Sequence, residues 1–461
     1  MTYRMPENFM WGASTSAFQI EGAYNIDGKG LATTDVRHVP EGMADTKVAC
    51  DHYHHWKEDV DLMAELGLKT YRMGFSWSRI MPDETLVPNE KGLAFYDQLI
   101  DYLLEKGIEP LVTLYHFECP QALVDAFGGW QSRRMIDAYA AYAEVCFRHF
   151  RGRITKWVTV NEQFIASAAP GMAMAYIEDP FERSKKIWQI SYHISLAEHK
   201  AFSLLKKIDP EALIGPVCSI QVVYPLSSKP EDIRAAMEAE EMMEFCLLDM
   251  SVYGEYSPFA RTWLQERNLL PAAEEEDVQI LHASRPDFIG INYYFSVCAE
   301  YAEKPFDFDT SFFWAADDCR IVANPHLTKT EWMNMGTDPL GLYDGMVKIY
   351  NRYRLPMIVT ENGMAVSEAL DEEGKIHDDY RIGYLSDHIR QVGRLCEEGY
   401  PVFGYCPWSF MDVLSSHQGF AKRYGLVFID RTDTDVKECQ RYKKDSFEWY
   451  RKVIETNGEE L

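Results

Sequence analysis

Residues 51–77 read DHYHHWKEDVDLMAELGLKTYRMGFSW, a helical pattern followed by an apolar run. Large apolar residues recur at spacings of three and four, which predicts a helix over 51–66 with one buried face: Tyr53, Trp56, Val60 and Met63. Gly67 follows the helical pattern and suits its C-terminal cap. The run at 69–77 is rich in residues that favour strands. This stretch therefore predicts a helix that leads directly into a buried strand.

The same unit recurs along the chain. A helical pattern over 90–106 ends at Gly107 and precedes another apolar run, and further helical patterns lie near 131–149 and 183–207. The eight strand-like runs are FMWGAS (9–14), KTYRMGFSW (69–77), IEPLVTLYH (108–116), ITKWVTVNE (154–162), ALIGPVCSI (212–220), DFIGINYY (287–294), PMIVTEN (356–362) and VFGYCPWSF (402–410). Eight strands alternating with helices predict an α/β fold, a single (β/α)8 TIM barrel over residues 1–461, rather than an open sheet. The spacer of roughly sixty residues before the seventh run is expected to carry loop structure over the active face.

Composition excludes several classes of protein. Hydrophobic residues make up 47% of the 461 residues, enough for a large core and against global disorder. The formal net charge of −26 argues against nucleic-acid partners and binding to anionic membranes. No run of eighteen apolar residues occurs, and the N-terminal residues lack the pattern of a secretory signal. Ten cysteines without a CxxC pair are typical of reduced thiols in a cytoplasm.

Polar residues at the ends of the apolar runs are the candidates for chemistry, because a barrel of this class places its active site there. They are Arg72, His116, Asn161, Glu162, Asn292, Tyr294, Glu361, Asn362 and Trp408. Glu162 and Glu361 supply the two carboxyl groups that glycoside hydrolysis needs, and Trp408 could pack against a sugar ring. Each carboxylate could instead be a polar strand cap. Arg72 could pair with a structural acid, and His116 could be a satisfied core histidine.

Six motifs resemble glycoside hydrolase family 1, the retaining β-glycosidases: FMWGASTSAFQIEGA, SWSRIMP, TVNEQ, GINYY, VTENG and KRYGLVFID. The resemblance runs from about residue 7 to about residue 455. It implies that Glu361 is the nucleophile and that Glu162 is the acid and then the base. The two carboxyl groups should lie about 5–5.5 Å apart, and the pKa of Glu162 should exceed that of Glu361. Arg72 and Tyr294 are then expected to orient the nucleophile.

The resemblance also implies how the sugar is bound. Gln19, His116 and Asn161 are expected to contact hydroxyl groups, with Asn161 near the 2-hydroxyl, and Trp408 is expected to form a platform for the ring. No metal or organic cofactor is implied. Two departures bear on the leaving-group side: TVNEQ has Val160 and Gln163 where the family usually has TFNEP or TFNEI, and residues 331–339 lack a tryptophan near position 335.

The segment VLSSHQGFAKRYG (413–425) bears on which sugar is bound. Ordinary β-glucosidases of the family have a Glu–Trp pair here, and this Glu binds the 4- and 6-hydroxyls. Ser415 and Ser416 replace that pair, and Tyr424 replaces a phenylalanine. Losing a carboxylate and gaining hydroxyl donors favours a phosphate. The segment resembles the 6-phospho-β-glucosidase branch, which implies that Ser415, Lys422 and Tyr424 bind a 6-phosphate.

Ser416 favours the gluco configuration, because the galactosyl branch tends to have a tryptophan there. The predicted substrate is therefore a 6-phospho-β-glucoside, supplied by a phosphotransferase system to a bacterial cytoplasm. Three alternatives remain open: a glycosidase for unphosphorylated sugars, a 6-phospho-β-galactosidase, and a barrel that binds sugar phosphates without hydrolysing them.

Overall fold

Eight parallel strands close into a barrel, in the order β1-β11-β10-β7-β5-β4-β3-β2. The structure, a computed structural model, describes residues 4–168, 177–303, 318–332 and 336–461. The strands of the barrel are β1 (Met10–Ser14), β2 (Thr70–Gly74), β3 (Glu109–Tyr115), β4 (Lys156–Asn161), β5 (Leu213–Ile220), β7 (Ile289–Tyr293), β10 (Met357–Asn362) and β11 (Val402–Tyr405). Outside the barrel lie β6 (Val223–Pro225), β8 (Val297–Tyr301), β9 (Cys319–Val322), β12 (Val427–Asp430) and β13 (Gln440–Lys443).

Helices follow most of the barrel strands and cover the outside. The longer ones are α3 (His52–Leu66), α5 (Glu90–Glu105), α7 (Arg134–His149), α9 (Pro180–Ile208), α10 (Pro230–Glu240), α11 (Cys246–Tyr253), α12 (Pro258–Glu266), α14 (Pro339–Tyr353), α15 (Asp379–Glu397) and α16 (Asp445–Glu455). The shorter ones are α1 (Ala17–Ile20), α2 (Thr33–Val36), α4 (Trp77–Ile80), α6 (Gln121–Phe127), α8 (Gln163–Ala168) and α13 (Asp277–His282), with a 3₁₀ turn at Gly129–Gln131 and a π-helical turn at Glu241–Phe245. Gly67 ends α3 at φ 85°, a conformation that favours glycine.

Two irregularities in strand pairing lie next to the candidate carboxylates. The register shifts between Val158 and Asn161, where β4 pairs with β5, and between Val359 and Glu361, where β10 pairs with β7. A bulge redirects the side chains that follow it, and such bulges are common beside active sites. Both carboxylates therefore follow a change in the strand register.

Two of the three hydrophobic clusters in the described chain meet at the barrel wall. A small cluster from neighbouring strands fills the barrel interior: Leu111, Val158, Val217, Phe288, Ile358 and Cys406. A much larger cluster, which includes Val60, Leu99 and Tyr139, packs the helices on the outside of the strands. Burial on both faces explains why the strands appear in the sequence as continuous apolar runs.

The predicted barrel is confirmed, and each of the eight apolar runs contains one of its strands. Two of the predicted runs are longer than their strands: β2 ends at Gly74 and β11 ends at Tyr405, after which only isolated backbone bonds, such as the bridge between Ser14 and Trp408, continue the pairing. The long spacer also contains more than loop structure: it carries β8, β9 and α14, and β8 pairs with β6 and β9. Among the described residues, no helix is long and apolar enough to cross a bilayer.

A buried ionic cluster anchors the chain that follows β11. Lys444 pairs with Glu368 and with Asp412, at 2.8 Å from the latter, and Arg423 lies 3.3 Å from Asp412. Burial disfavours ionisation of Asp412, yet the charges of Lys444 and Arg423 hold its pKa below its usual value. Arg381 extends the cluster by pairing with Glu368. These five side chains, called the ionic anchor below, fix segment 412–425 against the barrel.

We expect Lys444→Met to lower the free energy of unfolding by about 3–5 kcal/mol, because it removes the cation that Glu368 and Asp412 share and leaves each buried carboxylate with a single arginine partner. Urea denaturation followed by circular dichroism measures this change. Lys443→Met is the matched control. The side chain of Lys443 is 39% exposed and pairs with Glu65 at the surface. Equal effects of the two substitutions would contradict the anchoring role of Lys444.

Candidate active site

The carboxylate of Glu361, near the end of β10, accepts two hydrogen bonds from different elements. Arg72 Nη1 on β2 lies 2.5 Å from Oε1, and the hydroxyl of Tyr294, just after β7, donates to Oε2 at 2.6 Å. Burial, followed by the charge of Glu361, raises the pKa of Tyr294 well above its ordinary value, so this hydroxyl keeps its proton. The Glu361 carboxylate is thus fixed in orientation at the barrel mouth.

Arg72 links three strands to this carboxylate. Its guanidinium is fully buried, Nε donates to Thr113 Oγ1 on β3 at 3.0 Å, and Nη2 donates to Asn161 Oδ1 on β4 at 2.6 Å. Every nitrogen of the guanidinium therefore has an acceptor, and the planar group is held rigidly. The acid with which Arg72 pairs is Glu361.

Glu162 follows β4 directly and has a left-handed backbone with φ 45°, which is uncommon for a residue other than glycine. Its N–H donates to the carbonyl of Val217 at 2.9 Å, and its carbonyl accepts from the N–H of Ala166 at 2.9 Å. Its Oε1 accepts from Asn292 Nδ2 at 2.9 Å. Burial, and then the charge of Glu361, raises the pKa of Glu162 to about 8. This shift favours the protonated form of Glu162.

We expect Glu361→Gln to lower the pKa of Glu162 while leaving it above its usual value. The charge of Glu361 is the second cause of the raised pKa, and burial, the first cause, remains. A ¹³C NMR titration of protein labelled at glutamate carboxyl groups measures the shift, and Glu162→Gln assigns the resonance. An unchanged pKa would mean that the two carboxyl groups do not interact.

His116 and Asn161 form a neutral hydrogen-bonding pair beside Glu162. Burial, and then the charge of Arg72, holds the pKa of His116 well below its ordinary value. His116 Nε2 lies 3.2 Å from Asn161 Nδ2, which donates because Asn161 Oδ1 already accepts from Arg72 and from Asn292. This arrangement assigns the ring proton to Nδ1 of His116. That buried Nδ1 has no partner among the described residues and is available to donate to a ligand hydroxyl.

Gln19 and Trp408 line the same mouth. Trp408 stacks on His116 with ring centroids 6.0 Å apart and planes at 26°, and its backbone N–H donates to the carbonyl of Asn362. Gln19 accepts from Ser16 Oγ at 2.6 Å and donates to the carbonyl of Leu414 at 2.8 Å. Gln19 is therefore fixed against Leu414, near the start of segment 413–425, with one amide proton and one lone pair left for a ligand.

The segment from Ser415 to Tyr424 ends near the two carboxylates, at Tyr424. Ser415 forms a tight backbone pair with Gly419, and its hydroxyl donates to Gln418 Oε1 at 3.2 Å. Burial, and then the charges of Glu361 and Glu162, raises the pKa of Tyr424, which places its phenol near both acids. Lys422 Nζ lies 5.2 Å from the centre of the Tyr424 ring. Burial lowers the pKa of Lys422, and among the described residues no carboxylate pairs with it.

The two other cations of this segment have different roles. Arg423 belongs to the ionic anchor and also donates to the carbonyl of Ile429 at 2.8 Å, so its role is structural. The Nδ1 atom of His417 lies 2.8 Å from Ser416 Oγ. Partial burial, followed by the charges of Arg37 and Lys422, lowers the pKa of His417. Two cations, Arg37 and Lys422, therefore lie near His417.

All twelve residues predicted from the sequence lie in the described chain, and their contacts bring the acid–base residues and the sugar-binding candidates together. The sequence named Asn292 as a candidate but gave it no role as the donor to Glu162, and it gave no indication of Thr113 as a support of Arg72 or of Arg37 near His417. Asn292 ends a strand-like run, which was a usable signal, whereas Arg37 lies in a loop without a motif. The sequence also lacks a tryptophan near position 335. Its effect on the leaving-group side concerns Met335, which lies outside the described residues.

Comparisons with known proteins agree with this geometry. Residues 1–459 match the sequence model described as "Glycosyl hydrolase family 1". The chain is similar to aryl-phospho-beta-D-glucosidase BglC of Bacillus subtilis (strain 168), with 40% identity over 99% of this chain and 98% of the relative. It is also similar to 6-phospho-beta-glucosidase AscB of Escherichia coli (strain K12), with 35% identity over 99% of both chains. A solved family 1 β-glucosidase from Thermotoga maritima superimposes with a TM-score of 0.88 at 32% identity, covering 99% of this chain and 100% of that one.

Proposed function

The chain belongs to glycosyl hydrolase family 1 and is therefore a glycoside hydrolase, and we propose that its substrates are 6-phospho-β-D-glucosides. The products would be glucose 6-phosphate and an aglycone or a second sugar. The observation that carries this proposal is Lys422, a half-buried cation beside Tyr424 that pairs with no carboxylate in the described chain. A partly desolvated ammonium group without an anion favours a site for one. The names of the two curated relatives support the same substrate class.

The proposed mechanism retains the anomeric configuration. Glu361 attacks the anomeric carbon while Glu162 gives its proton to the leaving oxygen, which forms a covalent glycosyl–enzyme and releases the aglycone. Glu162, now ionised, takes a proton from water, whose oxygen attacks the same carbon and releases Glu361. The raised pKa of Glu162 and the two donors on Glu361 support this division of roles. The expected separation of about 5–5.5 Å between the carboxyl groups belongs to the same proposal.

The other residues would bind and orient the sugar. Asn161 retains one amide proton for the 2-hydroxyl, and His116 can donate from Nδ1. Trp408 would support the sugar ring, and Gln19, which is held by Leu414, would contact hydroxyl groups of the sugar. The 6-phosphate would be bound by Ser415, Lys422 and Tyr424, because each of these side chains carries a hydrogen-bond donor.

We assign Ser416 to the region of the 4-hydroxyl, where its small side chain would favour the gluco configuration.

A paired assay tests the assignment of 6-phospho-β-D-glucosides as substrates. We expect turnover of 4-nitrophenyl β-D-glucoside 6-phosphate and little or none of the unphosphorylated glucoside. The 6-phosphorylated galactoside should also be poor. Equal turnover of the neutral glucoside would favour a plain β-glucosidase. The similarity to the Thermotoga maritima β-glucosidase is the observation that supports this alternative. Phosphate binding without any hydrolysis would instead favour a silent binding protein.

We further propose a cytoplasmic setting and one catalytic domain over residues 1–461. Sugars phosphorylated during import would be released in the cytoplasm, and all ten cysteines are free thiols, as is usual in a reducing compartment. Both ends of the chain contribute to one barrel, since β1 pairs with β2 and β11 and Trp11 Nε1 donates to Asn457 Oδ1 at 2.9 Å. The acidic net charge of −26 supports a small-molecule partner rather than nucleic acid or a membrane.

A further inference from the structure

A buried polar network lies directly behind Glu162. Gln163, the next residue, begins α8 and is 7% exposed. Its Nε2 donates to the carbonyl of Ser191 at 2.7 Å and to Ser195 Oγ at 2.8 Å, both on α9. A carbonyl can only accept, so these contacts fix the orientation of the amide and turn Oε1 towards Ser251 on α11, at 3.1 Å.

Ser251 connects Gln163 to a fully buried carboxyl group. Its Oγ lies 2.6 Å from Oε2 of Glu198, on α9, and 3.1 Å from Gln163 Oε1. The other oxygen, Glu198 Oε1, accepts from Thr159 Oγ1 on β4 at 2.5 Å. Within the described ranges of the chain, no cation acts on Glu198; its titratable neighbour is Tyr139 of α7, which donates to the carbonyl of Thr159.

The hydrogen atoms of this network can be counted. A serine hydroxyl carries one proton, so Ser251 can donate to Gln163 or to an ionised Glu198 but not to both. If Glu198 is ionised, Gln163 Oε1 is buried without a donor. If Glu198 is protonated at Oε2, it donates to Ser251, whose own proton then reaches Gln163. Only the protonated state satisfies every polar atom of the network, as buried groups normally require.

We propose that Glu198 is a positioning residue that acts as a neutral carboxylic acid: its proton, passed on through Ser251, fixes Gln163 and thereby the left-handed backbone of Glu162. The role of Glu162 as the acid is taken from the proposed function. A residue at φ 45° keeps that conformation only where its surroundings hold it, and Gln163 ties the chain after Glu162 to α9 and α11. Burial raises the pKa of Glu198 to about 7, which agrees with a neutral group in mildly acidic solution.

The protonation state is tested without any enzyme assay. The infrared spectrum of the wild-type protein minus that of Glu198→Gln, at pH 6, should contain the C=O band of one buried carboxylic acid. Because the folded pKa lies above the unfolded value, the wild-type protein should lose thermal stability relative to Glu198→Gln as pH rises from about 4.5 to about 7. A carboxylate band in the difference spectrum, or a melting-temperature difference that does not change with pH, would overturn the proposal.

The positioning role is tested by comparing leaving groups. A misplaced acid slows release of a poor alkyl or sugar leaving group and barely affects a dinitrophenyl group, which needs no proton. We expect Ser251→Ala and Glu198→Leu to lower kcat about tenfold for the poor leaving group, with little effect for the good one and little change in KM. Glu198→Gln, which can still donate to Ser251, should recover most of this loss.

Ser203→Ala is the matched control on α9, because its buried Oγ has no hydrogen-bond partner in the described chain. It should leave both rates unchanged. Equal losses for both leaving groups in Ser251→Ala, or no recovery in Glu198→Gln, would overturn the positioning role. If Glu162 were not the acid, both leaving groups would respond alike even in Glu162→Gln. The infrared and melting measurements would still test the protonation state of Glu198, because they do not depend on the role of Glu162.

Discussion

Glu361→Ala is expected to lower kcat by a factor on the order of 10⁴ or more, the largest effect of any single substitution proposed for this protein. The variant loses the atom that forms the covalent intermediate, whereas Arg72 and Tyr294 stay in place and leave a small cavity between them. A stopped assay with a 6-phosphorylated aryl glucoside measures the loss. Glu372→Ala, at an exposed glutamate after β10, should have wild-type activity.

Azide distinguishes a lost nucleophile from a damaged site. Azide can enter the cavity and attack the anomeric carbon directly, so the variant should form a glycosyl azide of inverted configuration from an activated aryl substrate. Proton NMR of the product gives the configuration. A glycosyl azide of retained configuration would exclude Glu361 as the nucleophile. Glu361 would also be excluded if azide gave the inverted product with Glu162→Ala and not with Glu361→Ala.

Lys422→Ala and Tyr424→Phe are expected to lower kcat/KM for the 6-phosphorylated glucoside by about 10- to 150-fold each, mainly through KM. Each removes a hydrogen bond to a charged group, worth about 1.5–3 kcal/mol. The neutral glucoside has no phosphate to lose, so its much lower kcat/KM should hardly change. Specificity, expressed as the ratio of the two values, therefore falls by nearly the full factor.

A control separates a local contact from the general loss of a positive charge. Lys91→Ala removes a side chain that is 73% exposed on α5, and it should leave both kcat/KM values unchanged. Assays at two salt concentrations strengthen the comparison, because exposed charges are screened more than partly buried ones. A uniform fall for the phosphorylated and neutral substrates would remove Lys422 and Tyr424 from the phosphate site.

The barrel and the two carboxylates were predictable because their signals are local. Each strand is buried on both faces and is therefore a continuous apolar run, and parallel strands in a barrel present their carboxyl ends at one mouth. Glu162 and Glu361 come at the ends of such runs, so their shared location followed from the fold class. The overlong eighth run has a physical cause as well. Residues 406–410 have the aromatic content of a strand, but regular pairing with β10 ends at Tyr405, and beyond it only isolated bonds remain, such as that from the Trp408 backbone N–H to the Asn362 carbonyl.

The supporting contacts were not predictable, since each depends on residues far apart in the chain. Gln163 is a departure from the usual motif in the sequence, and its meaning depends on Ser195 and Ser251 from two other helices. Glu198 looks like one more polar residue in a long helix until Thr159 and Ser251 are seen on either side of it. Arg37 has no neighbouring motif at all. Hydrogen-bond networks of this kind are properties of the tertiary packing.

The three consecutive residues Lys422, Arg423 and Tyr424 alternate between two surroundings. Lys422 and Tyr424 contact each other beside the carboxylates, while Arg423 turns away into the ionic anchor and pairs through its backbone with Val366. Substrate preference in this segment can therefore evolve by replacing single side chains, but not by changing its length. Deleting one residue before Lys422 would exchange the two faces, directing Arg423 to the sugar and Tyr424 into the anchor. Natural variation here should consist of substitutions, with insertions and deletions confined to the turn at 416–419.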